Sequence, residues 1–144
     1  MSGRILAVDP GEKRIGLAIS DPTATLARPL AVIRHVSRPE DAAKIVQAAR
    51  EQGAVKIIIG AALDSEGLPS PQSRHAGRLA EEIRSQAEFP VELWDESGST
   101  QEARAARIAM GVSRSKRKGH LDEVAAAVIL QSYLDAQQPA RQGP

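Results

Sequence analysis

Two apolar runs near the amino end, residues 4–9 (RILAVD) and 15–20 (IGLAIS), are separated only by the short stretch 10–14 around Pro10-Gly11. A parallel crossover needs a dozen or more residues, so runs this close can pair only as an antiparallel hairpin. Residues 29–35 (PLAVIRH) add a third β-prone run before any helical period begins. Three consecutive strands without an intervening helix make an antiparallel meander.

The period then changes. Ser37 and Glu40 have capping-box spacing, and Ala42, Ile45, Val46 and Ala49 follow at helical intervals until Gly53. Residues 55–59 (VKIII) read as a buried strand that ends at Gly60, and residues 61–69 as a loop. Ser70-Pro71 suits a cap and first helical position, ahead of the stripe Ala76, Leu79, Ala80 and Ile83. Residues 91–94 (VELW) form a fifth strand. Ser99 and Glu102 open a helix bearing Ala103, Ala106 and Met110, residues 112–120 are polar and basic, and residues 121–134 form a final Ala-rich helix. The order βββαβαβαα predicts an α/β protein with a mixed five-stranded sheet flanked by helices. Residues 1–135 make one domain, and 136–144, with Pro139, Gly143 and Pro144, a flexible tail.

Composition narrows the function classes. The 144 residues include no Cys, which removes disulfides, thiolate metal sites and a Cys nucleophile. Nineteen Lys plus Arg against eighteen Asp plus Glu leave a net charge of +1, so any nucleic-acid contact must come from local clusters. Phe89, Trp94 and Tyr133 are the whole aromatic set, too few for a base-stacking surface. No apolar run approaches a bilayer span, and the amino end becomes charged too early for a secretory signal, so a cytoplasmic protein is expected.

Three carboxylates fall at the ends of predicted elements. Asp9 closes the first strand, Glu96 follows the fifth, and Asp122 opens the last helix. Each has a plain alternative, respectively a turn residue, a solvated loop acid and a helix-start acid. Together they suit hard divalent cations, Mg²⁺ or Mn²⁺, and a pair of such ions can hold the attacking and leaving oxygens of a phosphoryl displacement. No His base is then required, and His35, His75 and His120 have no paired spacing. Asp9 is followed two residues on by a glycine, Gly11, and a small residue there permits close approach of backbone to a phosphate. Asp122 precedes Ala125, Ala126 and Ile129 at helical spacing, a face that can press on a sheet. Lys13 and Arg14 follow the first acid, and Arg114, Lys116, Arg117 and Lys118 precede the last; both groups are candidate phosphate contacts or simply solvated charge.

The stretch DPGEKRIG at residues 9–16 is similar to the first phosphate loop of sugar kinases and actin-like ATPases, but no GK[ST] follows and one domain supplies half of such a cleft. The chain more fully resembles the YqgF/RuvX family of RNase H-like proteins. The matching pieces are RILAVDPGEKRIGLAISD (4–21), IIIGAAL (57–63), SPQ (70–72), LWDES (93–97) and GVSRSKRKGHLDEVAAAVILQSYLD (111–135). The resemblance implies an RNase H-like fold with catalytic, metal-binding acids at Asp9, Glu96 and Asp122. It further implies a nuclease that matures the 5′ end of precursor 16S ribosomal RNA, with RNA as partner and ribosomal assembly particles as a further candidate. An older proposal for the family is resolution of four-way (Holliday) DNA junctions, which would favour a homodimer over a monomer. The chain departs from the family pattern at Ser97-Gly98-Ser99-Thr100, where Arg usually follows the Asp-Glu pair, and at Gly60-Ala61-Ala62, where Gly-Leu-Pro is usual. The first departure also motivates a third expectation, a non-catalytic RNA-binding assembly or transcription factor.

Overall fold

The structure is a computed structural model that describes residues 3–62, 66, 68, 70, 73–95 and 114–137, excluding the side chains of 114–123. The meander forms as the spacing requires: β1 (Arg4–Pro10) pairs antiparallel with β2 (Arg14–Ser20), and β2 with β3 (Ala27–Arg34). Helix α1 (Arg38–Glu51) leads to β4 (Ala54–Ala61), which lies parallel to β1. Helix α2 (Arg74–Gln86) leads to β5 (Val91–Asp95), parallel to β4, and α3 (Arg114–Ala136) closes the described chain. The sheet order is β3-β2-β1-β4-β5, so the first strand is central and its carboxyl end points the same way as those of β4 and β5.

The strand period of two divides the core between the faces of the sheet. Leu6, Val8, Leu17, Ile19, Ile57 and Ile59 face α1 and α2, where Ile45, Leu79 and Ile83 meet them. Ile5, Ala7, Ala18 and Ile58 face α3, where Ala126, Ile129 and Leu130 cover them. Burial on both faces explains the unbroken run of Ile57, Ile58 and Ile59 in β4, each with no exposed surface. Fully burying one such side chain is worth about 1.5–3 kcal/mol. On the α3 side the contacts are between small residues: Ala7 pairs with Ala18 under Ala126 and Ala127, which lets the helix approach the sheet closely.

The caps agree with the sequence in part. Ser37 is the N-cap of α1, and its Oγ accepts from the Glu40 amide at 3.3 Å. Gly53 follows the helix at φ +70°, a conformation that costs glycine little. The start of α2 differs from expectation. Ser73, not Ser70, is its N-cap, and the Ser73 Oγ accepts from the Ala62 amide at 2.8 Å rather than from its own helix. Ser70 instead donates its amide to the Ala62 carbonyl at 3.2 Å, which holds the loop against the end of β4. The helix expected from Ser99 lies outside the described residues, as does the tail from 138 onward. Among the described residues no helix is long and apolar enough to cross a membrane.

Candidate active site at the carboxyl ends of the central strands

Asp9 sits at the penultimate position of β1, half-buried, directly opposite Gly16 of β2. It shares parity with Ile5 and Ala7, so its side chain lies on the face of the sheet that α3 covers. Gly16 carries no side chain, so β2 presents only backbone directly opposite the carboxylate. The following glycine has a use other than the one expected. A Cβ on Gly11 would meet the Arg14 carbonyl oxygen at 2.3 Å, so the turn itself, rather than a phosphate, requires a glycine there.

The strand register locates the fifth strand relative to Asp9. Val8 pairs with Ile59, and Ala61 with Asp95, so Asp95 ends β5 at the level of Pro10, two strands away. At about 4.8 Å per strand that separation is about 10 Å. Glu96, the next residue, lies outside the described residues.

Helix α3 packs across β1, β2 and β3 on the Asp9 face. Its carboxyl end is held at the amino ends of the strands: Lys56 donates to the Tyr133 hydroxyl at 2.6 Å, and the Gln131 amide oxygen accepts from Ala27 N at 3.0 Å. Lys56 is level with Ile5, so Tyr133 marks the start of β1. Asp9 is about 13 Å further along the strand and the backbone of Asp122 about 16 Å back along the helix. If the helix lies along the strands, these lengths bring the two positions toward the same end of the sheet. Position 122 also precedes the buried Ala126 and Ile129 by four and seven residues. The expectation that Asp122 opens its helix is wrong. The helix begins at Arg114, so Asp122 lies in its third turn, beyond the reach of a first-turn dipole effect.

The same correction applies to the basic cluster. Arg114, Lys116, Arg117 and Lys118 are the opening turns of α3, not a polar stretch ahead of it. Lys13 and Arg14 are exposed at the β1–β2 turn, next to Asp9. Among the described residues no three His, Asp or Glu side chains gather as a metal-binding group; Asp9 is the only member of the expected triad whose side chain is described. Its carboxylate oxygens are the donor type that a hard divalent ion takes.

Sequence reasoning missed a second polar group at this edge, on the opposite face. Asp41 is fully buried in the first turn of α1; its carboxylate bonds the His35 imidazole and accepts from the Val36 amide at 2.9 Å. His75 of α2 meets His35 edge-to-face with ring centroids 6.3 Å apart. Burial, then the positive potential of His35 and Arg38, hold the His75 imidazole below its ordinary pKa. Glu12, His35, Ser37, Arg38 and His75 line a cavity of about 480 Å³ here, and Asp9 is not among its lining residues. The signal available for Asp41 was its apolar helix neighbourhood, Ala42 and Ile45, which places an acid against the core.

The sequence model of the RuvX family, described as Holliday junction resolvase, matches residues 3–136. A protein of Anaeromyxobacter sp. named "Putative pre-16S rRNA nuclease" is 41% identical over 132 residues, covering 92% of this chain and 96% of its own length. One of the same name from Roseiflexus sp. is 36% identical over 135 residues, covering 94% and 96%. The fold is similar to Thermus thermophilus RuvC in complex with a Holliday junction substrate, with a TM-score of 0.61 at 16% identity over 95% of this chain and 96% of that one. It is also similar to the Fowlpox virus resolvase bound to junction DNA, with a TM-score of 0.54 at 16% identity over 93% and 98%. A family match across nearly the whole length, with a five-stranded sheet in the same fold as RuvC, places this chain in the RuvX family.

Proposed function

We propose that the protein is a divalent-metal-dependent nuclease that hydrolyses a phosphodiester in precursor 16S ribosomal RNA. The observation that carries this is Asp9: a half-buried carboxylate at the carboxyl end of the central strand, on the face that α3 covers. Glu96, which follows β5 in the sequence, would complete the acidic set. The names of relatives 36–41% identical over more than nine-tenths of this chain support RNA as the substrate.

Asp9, Glu96 and Asp122 would hold Mg²⁺ or Mn²⁺, which lowers the pKa of a bound water and neutralises charge on the leaving oxygen. The rest falls to the chain. Asp9 stays fixed because β1 is paired on both sides, so its carboxylate needs little reordering when substrate arrives. Lys13 and Arg14 at the turn, and Arg114, Lys116, Arg117 and Lys118 in the opening turns of α3, would neutralise the approaching phosphates.

The test is cleavage by purified wild type and Asp9→Asn, with Mg²⁺ or Mn²⁺, on a 5′-extended 16S ribosomal RNA fragment and on a four-way DNA junction. Divalent-dependent cutting of the RNA, lost in the variant, is the expected result. Cutting of the junction alone would replace RNA with branched DNA. RNA binding without cutting under any divalent ion would leave a binding factor on a nuclease scaffold.

A further inference from the structure

We propose that Arg14 and Arg34 form a cross-strand clamp that grips the phosphate backbone of the substrate one rung beyond Asp9; the inference rests on the nuclease reading above. In the β2–β3 register Arg14 lies directly opposite Arg34, and Gly16 opposite Val32. Gly16 is in turn opposite Asp9. The row Asp9–Gly16–Val32 therefore crosses three strands, and the arginine pair is the next row of the same parity, about 7 Å along the strands. Both rows lie on the α3 side of the sheet, because Ile15 and Ile33 between them face α1 and α2.

Like charges set directly opposite each other across two strands destabilise the sheet. Arg14 and Arg34 are both exposed, and among the described residues neither has an acidic partner. A pair so placed is relieved by an anion that bridges it, and two guanidinium forks suit a phosphate diester. β3 is an edge strand, so nothing in the sheet blocks the outer side of Arg34. Val32, 37% exposed on the Asp9 row, offers apolar surface to a sugar.

The backbone under the pair is fixed beyond the last rung. The His35 amide donates to the Lys13 carbonyl at 2.9 Å, and the buried Asp41 takes the Val36 amide at 2.9 Å. The ends of both strands are thus pinned while the guanidinium groups stay free to close on a ligand. A clamp of this kind sets the path and register of the strand and carries no sequence preference.

The experiment measures binding of the full chain to the 5′-extended ribosomal RNA fragment and to the four-way junction in EDTA, over a salt series. Wild type, Arg34→Gln, Arg34→Lys and the Arg14→Gln/Arg34→Gln double variant are compared, with melting temperature recorded for each. Arg34→Gln should weaken binding roughly 3–10-fold and flatten the log–log salt slope by about one, with the double variant losing about two. Its melting temperature should hold or rise, since a repulsive pair is removed, and Arg34→Lys, which keeps the charge but loses the fork, should keep the wild-type salt slope and recover part of the affinity lost in Arg34→Gln. Unchanged affinity and slope in Arg34→Gln, with wild type still cutting and Asp9→Asn inactive, would overturn the clamp and leave the nuclease intact. A fall in melting temperature alongside binding, unrescued by Lys, would mean that Arg34 is structural and also overturns it. Wild type that neither binds nor cuts either substrate would remove both readings.

Discussion

Asp41 and His35 tie the first turn of α1 to the end of β3: the carboxylate is wholly buried, bonds the imidazole, and takes the Val36 amide as well. Removing an acceptor that serves two donors leaves both without their partner. Asp41→Ala should therefore cost on the order of 1–3 kcal/mol in urea denaturation. It should also weaken RNA binding through the loosened end of β3, while Asp41→Asn, which keeps an acceptor oxygen, should lose less of both.

The close contact of α3 with the sheet gives a second prediction. Ala18 and Ala126 have no exposed surface and belong to one packed cluster. A larger side chain at either position has nowhere to go except by lifting the helix. Ala18→Leu should destabilise the protein by about 1–3 kcal/mol. Because α3 carries Asp122, the variant should lose cleavage activity beyond what its unfolded fraction explains, measured at a temperature where it remains folded.

Much of this fold was legible because its decisive features are local. A short interval forced the β1–β2 hairpin, and the run of Ile in β4 announced a strand covered on both faces. What was not legible depends on partners far away in sequence. The start of α3 at Arg114 was missed because a helix that carries Arg, Ser and Lys in its opening turns has no apolar stripe to count, although most of those residues favour helix. The cap of α2 was misplaced by three residues because Ser70 and Ser73 look alike in sequence; only the Ala62 backbone distinguishes their roles. Asp9 could be singled out from the apolar run that ends on it. Arg34 could not, because its position opposite Arg14 depends on a register that shifts between Leu17 and Ala18.

His75 supplies a pH-dependent prediction. Burial first, then His35 and Arg38, lower its pKa in the folded state, and Asp41 offsets this only in part. Its Nε2 is buried and finds no hydrogen-bond partner among the described residues. The folded protein thus favours the neutral ring, whereas the unfolded chain takes up a proton near pH ~6.5. The stability tied to the neutral ring is complete above that value and is lost as pH falls through the lower folded value. His75→Leu, which cannot titrate, should gain in melting temperature relative to wild type as pH drops from 7.5 to 5. A difference that stayed constant over that range would contradict the assignment.

Asp21 behaves with the opposite chemistry and the same sense of pH. It follows β2, and its carboxylate accepts the amides of Thr25 and Leu26, each at 2.8 Å, and the Thr23 hydroxyl. The Leu26 amide, then the Thr23 hydroxyl and the Thr25 amide, hold its pKa far below the ordinary carboxylate range. Above the unfolded value of ~3.9 the carboxylate is charged in both states and its bonds hold the β2–β3 connection at full strength. As pH falls from there toward the depressed folded value, the unfolded chain takes up the proton first and the contribution drains away. Asp21→Ala should therefore melt below wild type at pH 7, and the gap should narrow between pH 4 and 2. Because Asp21 is partly open to solvent, high salt should shrink the gap at pH 7 only modestly if backbone hydrogen bonds dominate, and largely abolish it if simple charge does. Melting curves at two salt concentrations across that pH range separate the two causes.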